Sequence, residues 1–389
     1  MAIAVVGPDT SRAWFTRDFG AVQITGVAAD AFVNVRVEYL TVSGAALGIE
    51  EQRCTPVGGS IQLLSLARQA EPYFTLPDIP STLWTGMVQW LGAAPIQLKV
   101  SVFEPSSQTA SATKTWTIRY SRVRTDINLG TDRGFLGRHG DRTVTSSQLS
   151  MLHFVSGGDE TIEAGIVYRT SGGGTATATA TLFPSSPGSS SSSYAGQVVT
   201  LPVGARRMAS LAGTGVAATD IVSFSIRMTV DDATVDFARF RVRRPTGHEL
   251  LLVYRDCFGN VDSVSLTGQL EKNTEMAGSY MTTGGEYLKT YTELTENWRV
   301  GTGYVRSEDR EAVLDMAESD LVYLYTSSAR DDRVTITALD DAVSLPKRSP
   351  WALAVTLRKS SETQRSFRRG HLTEQNLRIF DHTFDSTFE

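Results

Sequence analysis

A β-hairpin pattern in the C-terminal third constrains the fold of this chain more than any other feature. Two apolar runs, Leu250–Tyr254 and Val261–Leu266, flank the sequence Cys257–Asn260. Gly259 and Asn260 belong to the residue types that adopt positive φ in tight turns. We therefore expect two antiparallel strands joined at this turn, followed by a polar, Thr-rich linker.

Short strand patterns recur along the rest of the chain. Apolar and polar residues alternate in Val33–Tyr39, and small residues alternate in Thr175–Thr181, as is typical of half-buried strands. Ile61–Ala67 has the composition of a short helix that Ser60 would cap. Ser307 begins a further predicted helix, whose acidic first turn suits the positive end of the helix dipole.

The chain is long enough for several domains. Its 389 residues, of which 41% are hydrophobic and 20% charged, predict two or three folded units. Glycines and charges concentrated in Thr125–Thr143 indicate a boundary. The expected fold class is mainly β, with multidomain β-sandwich-like modules and a C-terminal α+β module that contains one helix. The predicted domains are an N-terminal β domain (1–125), a middle β-sandwich-like domain (126–244) and a C-terminal β-rich module with one helix and a terminal arm (245–389).

Charge and cysteine usage narrow the classes of partner. A net charge of −5 and a pI near 5.7 argue against sequence-specific nucleic-acid binding. Cys54 and Cys257 lie far apart, which predicts reduced thiols. No apolar stretch is long enough for a membrane helix, and the N-terminus lacks a signal-peptide pattern. We expect a protein made in the cytoplasm that does not bind a membrane.

No local motif predicts catalysis, a metal or a cofactor. The five histidines lack metal-ligand spacing, and no nucleotide-binding glycine motif is complete. The acidic pairs Asp231-Asp232, Asp331-Asp332 and Asp340-Asp341 fall at predicted turns, where Asp is favoured. A triad assembled from distant positions stays open as an alternative. We therefore expect a non-enzymatic protein with no cofactor.

The densest basic feature places Arg239, Arg241 and Arg243 on one face of a predicted strand, opposite Phe240 and Val242. This stripe is either a solvated strand face or a subunit interface, because arginine pairs well with carboxylates. Contact with nucleic acid is a third alternative.

The terminal arm carries Phe380, Phe384 and Phe388 at helical spacing. Such an apolar stripe predicts either packing on its own domain or docking on an adjacent subunit. The candidate subunit-interface residues are therefore these three phenylalanines and the three arginines of the stripe.

The chain resembles virion structural proteins of tailed bacteriophages, particularly tail or baseplate components from phages and prophages of Bacteroidetes-type hosts. Three places carry the resemblance, namely Tyr254–Val261 with Leu266–Gly268, Ser307–Ala317 with Leu321–Leu324, and Arg333–Thr337 with Leu345-Pro346. The segment Thr55–Ile61 adds a looser match near the N-terminus.

The resemblance implies a non-enzymatic building block of the virion that assembles as a symmetric ring, as a tail-tip, distal-tail or connector component. Its partners would be copies of itself and other virion proteins. The alternative function is a carbohydrate-binding adhesin or receptor-binding protein, whose partner would be a host-surface glycan. A hydrolase with a dispersed site is a third hypothesis.

Overall fold

The computed structural model describes most of the chain, namely residues 2–81, 90–125, 127–129, 131–137, 141–184, 194–245, 249–283, 286–305, 307–326, 329–340 and 351–359. The fold is mainly β, with separate sheets that form β-sandwich-like modules.

The N-terminal module consists of two sheets facing each other across one core. The elements in chain order are β1 (Ala4–Val6), β2 (Ala13–Phe15), β3 (Val22–Thr25), β4 (Val33–Thr41), β5 (Ala46–Cys54), β6 (Ser60–Leu63), α1 (Leu66–Gln69), β7 (Trp90–Leu91), β8 (Ile96–Phe103) and β9 (Ala112–Arg119). One sheet has the order β1-β3-β6 and the other β2-β9-β8-β4-β5. In β4, Val33, Val35, Val37 and Tyr39 are buried, so the predicted alternation is confirmed.

The middle module is a sandwich of a four-stranded and a five-stranded sheet. Its elements are β10 (Phe135–Leu136), β11 (Asp141–Thr145), β12 (Met151–Val155), β13 (Glu160–Arg169), β14 (Thr175–Phe183), β15 (Val198–Pro202), α2 (Ala205–Ala212), β16 (Ile221–Val230) and β17 (Ala233–Arg243). The strand orders are β10-β12-β15-β7 and β11-β17-β16-β13-β14. Strand β7 thus joins a middle-module sheet although it precedes β8 and β9 in the chain. Phe154 and Phe240 come from opposite sheets and share one core.

The C-terminal module is a single seven-stranded sheet with a helix packed on it. Its elements are β18 (Leu250–Arg255), β19 (Val261–Leu266), β20 (Leu270–Thr283), β21 (Glu286–Val305), α3 (Ser307–Ala317), β22 (Val322–Thr326), β23 (Ala329–Asp340) and β24 (Trp351–Lys359). The strand order is β19-β18-β22-β23-β24-β21-β20. Val313 and Met316 of α3 are buried against this sheet. The predicted hairpin is confirmed, with Leu250 opposite Leu266 and Arg255 opposite Val261.

Several sequence-based details are wrong. Ser60–Leu63 is a strand rather than the start of a helix, because Ile61 and Leu63 both point into the core. In the hairpin turn only Gly259 has a positive φ, of 80°, whereas Asn260 does not. Asp331 and Asp332 lie within β23 instead of a turn. The predicted Thr-rich linker and the polar segment after it are the two paired strands β20 and β21.

Candidate functional site

The hairpin formed by β18 and β19 is buried on both of its faces. Leu252 and Tyr254 point into the core of the C-terminal module. Leu251 and Val253 point the other way, into a second cluster that includes Met151 of the middle module. The hairpin therefore holds together parts of the chain that are far apart in sequence, and we call this region the junction.

The tip of the hairpin completes the junction on the N-terminal side. The ring of Phe258 lies 5.2 Å from the ring of Phe15 and packs against Leu136 and Val198, so all three modules meet there. At Gly259, a Cβ atom would lie 2.8 Å from Leu76 Cδ2 and 2.8 Å from Tyr120 Cδ1. Close contact with the N-terminal module therefore requires glycine at this position.

A second contact across modules involves the segment Pro77–Ser81, which lies against β22 and β23. The backbone N–H of Arg330 donates to Ser81 O at 2.8 Å, and its Nη1 donates to Ile79 O at 2.7 Å. The hydroxyl of Tyr325 donates to Pro80 O. Through its backbone carbonyl groups, this N-terminal segment is thus bonded to the end of the C-terminal sheet at which β22 leads into β23.

Two ion pairs cross between elements at the junction. Arg142 Nη1 of β11 lies 3.3 Å from Asp262 Oδ2 of β19, and both side chains are almost fully buried. Arg122 Nη2 lies 3.4 Å from Asp315 Oδ1 of α3, and the other carboxylate oxygen of Asp315 accepts the N–H of Cys257 at 3.2 Å. Each pair therefore joins the hairpin to a neighbouring element.

A carboxylate, an imidazole and a hydroxyl meet in the same region. His153 Nε2 lies 3.5 Å from Asp256 Oδ2, and His153 Nδ1 lies 2.9 Å from Thr200 Oγ1. This set has the residue types of a nucleophilic triad. His153, Thr200 and Asp256 are only 2%, 3% and 6% exposed, so a substrate cannot reach the hydroxyl. Asp256 also accepts the backbone N–H groups of Phe258 and Asn260, which is a turn-stabilising role.

Burial shifts the proton affinities of these groups. Burial raises the pKa of Asp256 to about 6 and that of Asp315 to about 7, where the nearby Asp256 adds to the effect. Burial lowers the pKa of His153 to about 4. Each shift favours the neutral form, as expected for groups removed from water. Asp256, Asp315 and His153 are therefore structural groups of the junction whose protonation depends on pH.

Beyond the sheet, β20 and β21 continue as a two-stranded ribbon. Among the described residues, strand β24 pairs with β21 from Asn297 to Val305. The pairing of β20 with β21 runs on from Thr274 opposite Glu296 to Thr283 opposite Glu286. At about 3.3 Å per residue, this ribbon of residues 274–296 extends about 30 Å past the part of β21 that pairs with the described residues of β24.

Arg239, Arg241 and Arg243 alternate along β17, on the face opposite the buried Phe240, as the sequence predicts. Arg239 and Arg241 are about half exposed, and both lie near Asp141 of the parallel strand β11, at 3.7 Å and 3.0 Å. Arg243 instead lines a cavity with Arg169 and Arg244. Phe380, Phe384 and Phe388 lie outside the described residues.

Among the described residues, no three His, Cys, Asp or Glu side chains are grouped so as to hold a metal ion. Both cysteines are free thiols, and burial raises the pKa of Cys257 well above its usual value. Among the same residues, no helix is both long enough and apolar enough to cross a membrane.

Comparison with known proteins yields only remote similarities. No protein-family model matches the chain, and no curated protein matches it. A bacterial adhesin from Mobiluncus mulieris is 8% identical over 76% of this chain and 98% of its own, with a TM-score of 0.20. Dimeric latent PorU from Porphyromonas gingivalis is 11% identical over 85% of this chain and 33% of its own, with a TM-score of 0.22.

The BSP domain of a biofilm-associated protein is 10% identical over 62% of this chain and 30% of its own, with a TM-score of 0.15. These TM-scores are too low to indicate a shared topology. The class that the fold defines is a multi-module β protein whose modules meet at a buried junction. The function proposed next rests on the residues of this chain.

Proposed function

We propose that this protein is a non-enzymatic structural subunit that assembles with copies of itself through its ribbon. The observation that carries the proposal is the pairing of Thr274–Thr283 with Glu286–Glu296, which no third strand joins in the described part of the chain. A two-stranded hairpin is at best marginally stable in water when no third strand or core covers it. A neighbouring subunit would supply that cover.

The sequence of the ribbon supports a protein partner. Residues 274–296 contain three tyrosines, two leucines and two methionines, an apolar content that is high for a solvated hairpin. They also contain four glutamates and one lysine, so the ribbon is acidic. The outer edge of each of its two strands presents backbone N–H and C=O groups with which a partner strand can pair. Both features suit burial between copies.

The junction supports a subunit whose modules keep one arrangement. Burial of the hairpin on both faces and the Arg142–Asp262 pair oppose independent motion of the modules. A symmetric ring requires the same interface geometry in every copy, which mobile modules would disturb. The hairpin is thus suited to orient the ribbon.

Within a virion, such a subunit would serve as a tail-tip, distal-tail or connector component of a tailed bacteriophage. The resemblance of the hairpin and of Ser307–Ala317 to tail and baseplate proteins supports this placement. Neighbouring copies and other virion proteins would be its partners, without a catalytic role.

Hydrogen exchange of the ribbon backbone tests the assembly proposal. Size exclusion would separate assembled from monomeric protein, and peptides from 274–296 would be compared with peptides from the β18–β19 hairpin as an internal control. We expect the ribbon amides to be protected only in the assembled fraction, with the hairpin protected in both. Ribbon amides that exchange as fast in the assembly as in an unfolded chain would refute the proposal.

A carbohydrate-binding adhesin or receptor-binding protein is the second candidate. The cavity that Arg169, Arg243 and Arg244 line is the observation that favours it, because arginines with no ion-pair partner among the described residues suit an acidic host-surface glycan. A glycan array that includes sulfated and carboxylated sugars tests this function. Specific retention of an acidic glycan would support it, and no retention above that of a neutral glycan would exclude it.

A further inference from the structure

We propose that the cavity at one end of the middle module is a binding site for a tetrahedral oxyanion, such as a sulfate or phosphate group. The cavity has a volume of about 410 Å³ and is lined by Arg169, Thr219, Ile221, Val242, Arg243 and Arg244. This site goes beyond the assembly function, because it lies on a different module from the ribbon.

Sheet register brings the arginines together. Strand β13 ends at Arg169, its neighbour β16 begins at Ile221, and the next strand β17 ends at Arg243. Tyr168 pairs with Ile221, and Ser223 pairs with Arg241, so these three strand ends lie side by side. Residues that are more than 70 positions apart along the chain thereby border one cavity. Four of the lining residues belong to strands of the sheet, and Thr219 and Arg244 lie directly beside the strand ends.

The charge at this cavity is uncompensated within the described residues. Elsewhere on the same sheet, Arg227 lies 2.8 Å from Glu163, and Arg241 lies 3.0 Å from Asp141. No ion pair involves Arg169, Arg243 or Arg244 in the described part of the chain, and no carboxylate lines the cavity. Three guanidinium groups around one space repel one another until an anion occupies it.

One buried hydrogen-bond donor of the lining also lacks an acceptor. The Nε of Arg243 is shut off from solvent and has no hydrogen-bond partner among the described residues. Thr219 adds a hydroxyl to the lining. Guanidinium groups bind oxyanions in bidentate geometry, which provides charge and direction together. A tetrahedral oxyanion has enough acceptor oxygens for several arginines at once, whereas a neutral sugar would leave the charge unbalanced.

The test measures sulfate binding to the intact chain by calorimetry, in buffers matched to the same ionic strength with chloride. Arg244 and Arg169 are exposed, so Arg244→Gln and Arg169→Gln should not disturb folding. We expect inorganic sulfate to bind the wild type and to bind Arg244→Gln at least about tenfold more weakly, since one charge-assisted hydrogen bond contributes about 1.5–3 kcal/mol.

Arg239→Gln is the matched control, because Arg239 is an exposed arginine of the same sheet that does not line the cavity. Its affinity for sulfate should equal that of the wild type. The proposal is overturned if the wild type does not bind sulfate, or if Arg239→Gln and Arg244→Gln weaken binding equally, which would indicate nonspecific charge screening.

Dextran sulfate, compared with neutral dextran, distinguishes the two sources of the oxyanion. Tighter binding of dextran sulfate than of inorganic sulfate, again lost in Arg244→Gln, would assign the site to a sulfated polymer. Equal affinity per sulfate group would assign it to a free anion. Both results support the site, and neither depends on whether the ribbon assembles copies of the protein.

Discussion

Arg142 and Asp262 form a buried ion pair between the middle module and the C-terminal hairpin, with 3.3 Å between Nη1 and Oδ2. The carboxylate of Asp262 also accepts the backbone N–H of Met151 at 3.1 Å. One side chain of the hairpin is therefore bonded to both the side chain and the backbone of the middle module. The pair makes the stability of the junction depend on two residues 120 positions apart.

Asp262→Asn should destabilise the protein strongly. The amide keeps an oxygen for the Met151 N–H, but it removes the carboxylate that pairs with the buried Arg142 and leaves Asp309 as a weaker counter-charge. Removing one partner of a buried pair lowers the free energy of unfolding by about 3–5 kcal/mol. Urea denaturation followed by fluorescence measures this loss.

Asp141→Asn is the control for the first prediction, since Asp141 faces Arg241 at the exposed surface. Exposed pairs contribute at most about 1 kcal/mol. Adding Arg142→Met to Asp262→Asn should recover part of the lost stability, because no charge then stays buried. Equal destabilisation by Asp262→Asn and Asp141→Asn would mean that the buried pair does not hold the junction.

The junction should also make stability depend on pH. The pKa of Asp315 is about 7 in the folded protein and 3.8 for the free side chain, so the folded state binds more protons in between. The free energy of unfolding therefore falls as pH rises from about 4 to about 7. The lowered pKa of His153 makes the free energy of unfolding rise with pH between about 4 and 6.5. The raised pKa of Asp256 makes it fall over most of that range, which offsets the effect of His153.

The net expectation is lower stability at pH of about 7.5 than at about 5, by about 2 kcal/mol. Asp315→Asn should remove most of this decline, because the amide resembles the protonated carboxyl and does not titrate. Urea midpoints of both proteins at the two pH values measure the difference. A wild-type protein that gains stability over this range, or a variant with an unchanged profile, would contradict the assignment to Asp315.

Gly259→Ala tests how tightly the hairpin tip packs on the N-terminal module. The new Cβ would meet Leu76 and Tyr120 at 2.8 Å, and the φ of 80° disfavours any side chain. Gly58→Ala is a matched control, because Gly58 has a φ of 63° and no atom within 4 Å of its Cβ position.

Both substitutions should lower the free energy of unfolding by about 1–2 kcal/mol through backbone strain. Gly259→Ala should lose about 1–3 kcal/mol more through overpacking. Thermal unfolding of the two variants compares the losses directly. Similar losses would show that the tip has room for a side chain and does not pack closely.

Local patterns were sufficient to predict the hairpin and most strands. The alternation in Val33–Tyr39 and the glycine turn at 259 act within a few residues, so the sequence carries them directly. Helix α2 was missed because it has only eight residues and lies between strands. Its buried Met208 and Ala209, with Gly213 just after its end, were a usable signal.

The junction could not be predicted, because its contacts join residues that are distant in the chain. Asp141, the partner of Arg239 and Arg241, lies on a parallel strand about 100 positions away. The polar residues Asp262, Ser263 and Ser265 of β19 are all buried, although such residues on both faces of a strand are typical of solvent exposure.

The sequence predicts a linker where the ribbon lies, because the many threonines and glutamates of β20 and β21 give no clear strand pattern. Only the register, with Met281 opposite Leu288 and Thr282 opposite Tyr287, reveals two strands of matched length. Long-range pairing of this kind is set by the whole hairpin, so a short sequence window does not show it.

The most direct test of the assembly claim is the mass of the intact protein by light scattering at two concentrations, compared with a shortened variant. The variant lacks 274–283 and 286–296 and keeps Gly284 and Gly285 as a turn between the paired residues Asn273 and Asn297. We predict a defined multimer for the intact chain and a folded monomer for the variant. An intact chain that is monomeric at both concentrations, or a variant that forms the same multimer, would contradict assembly through the ribbon.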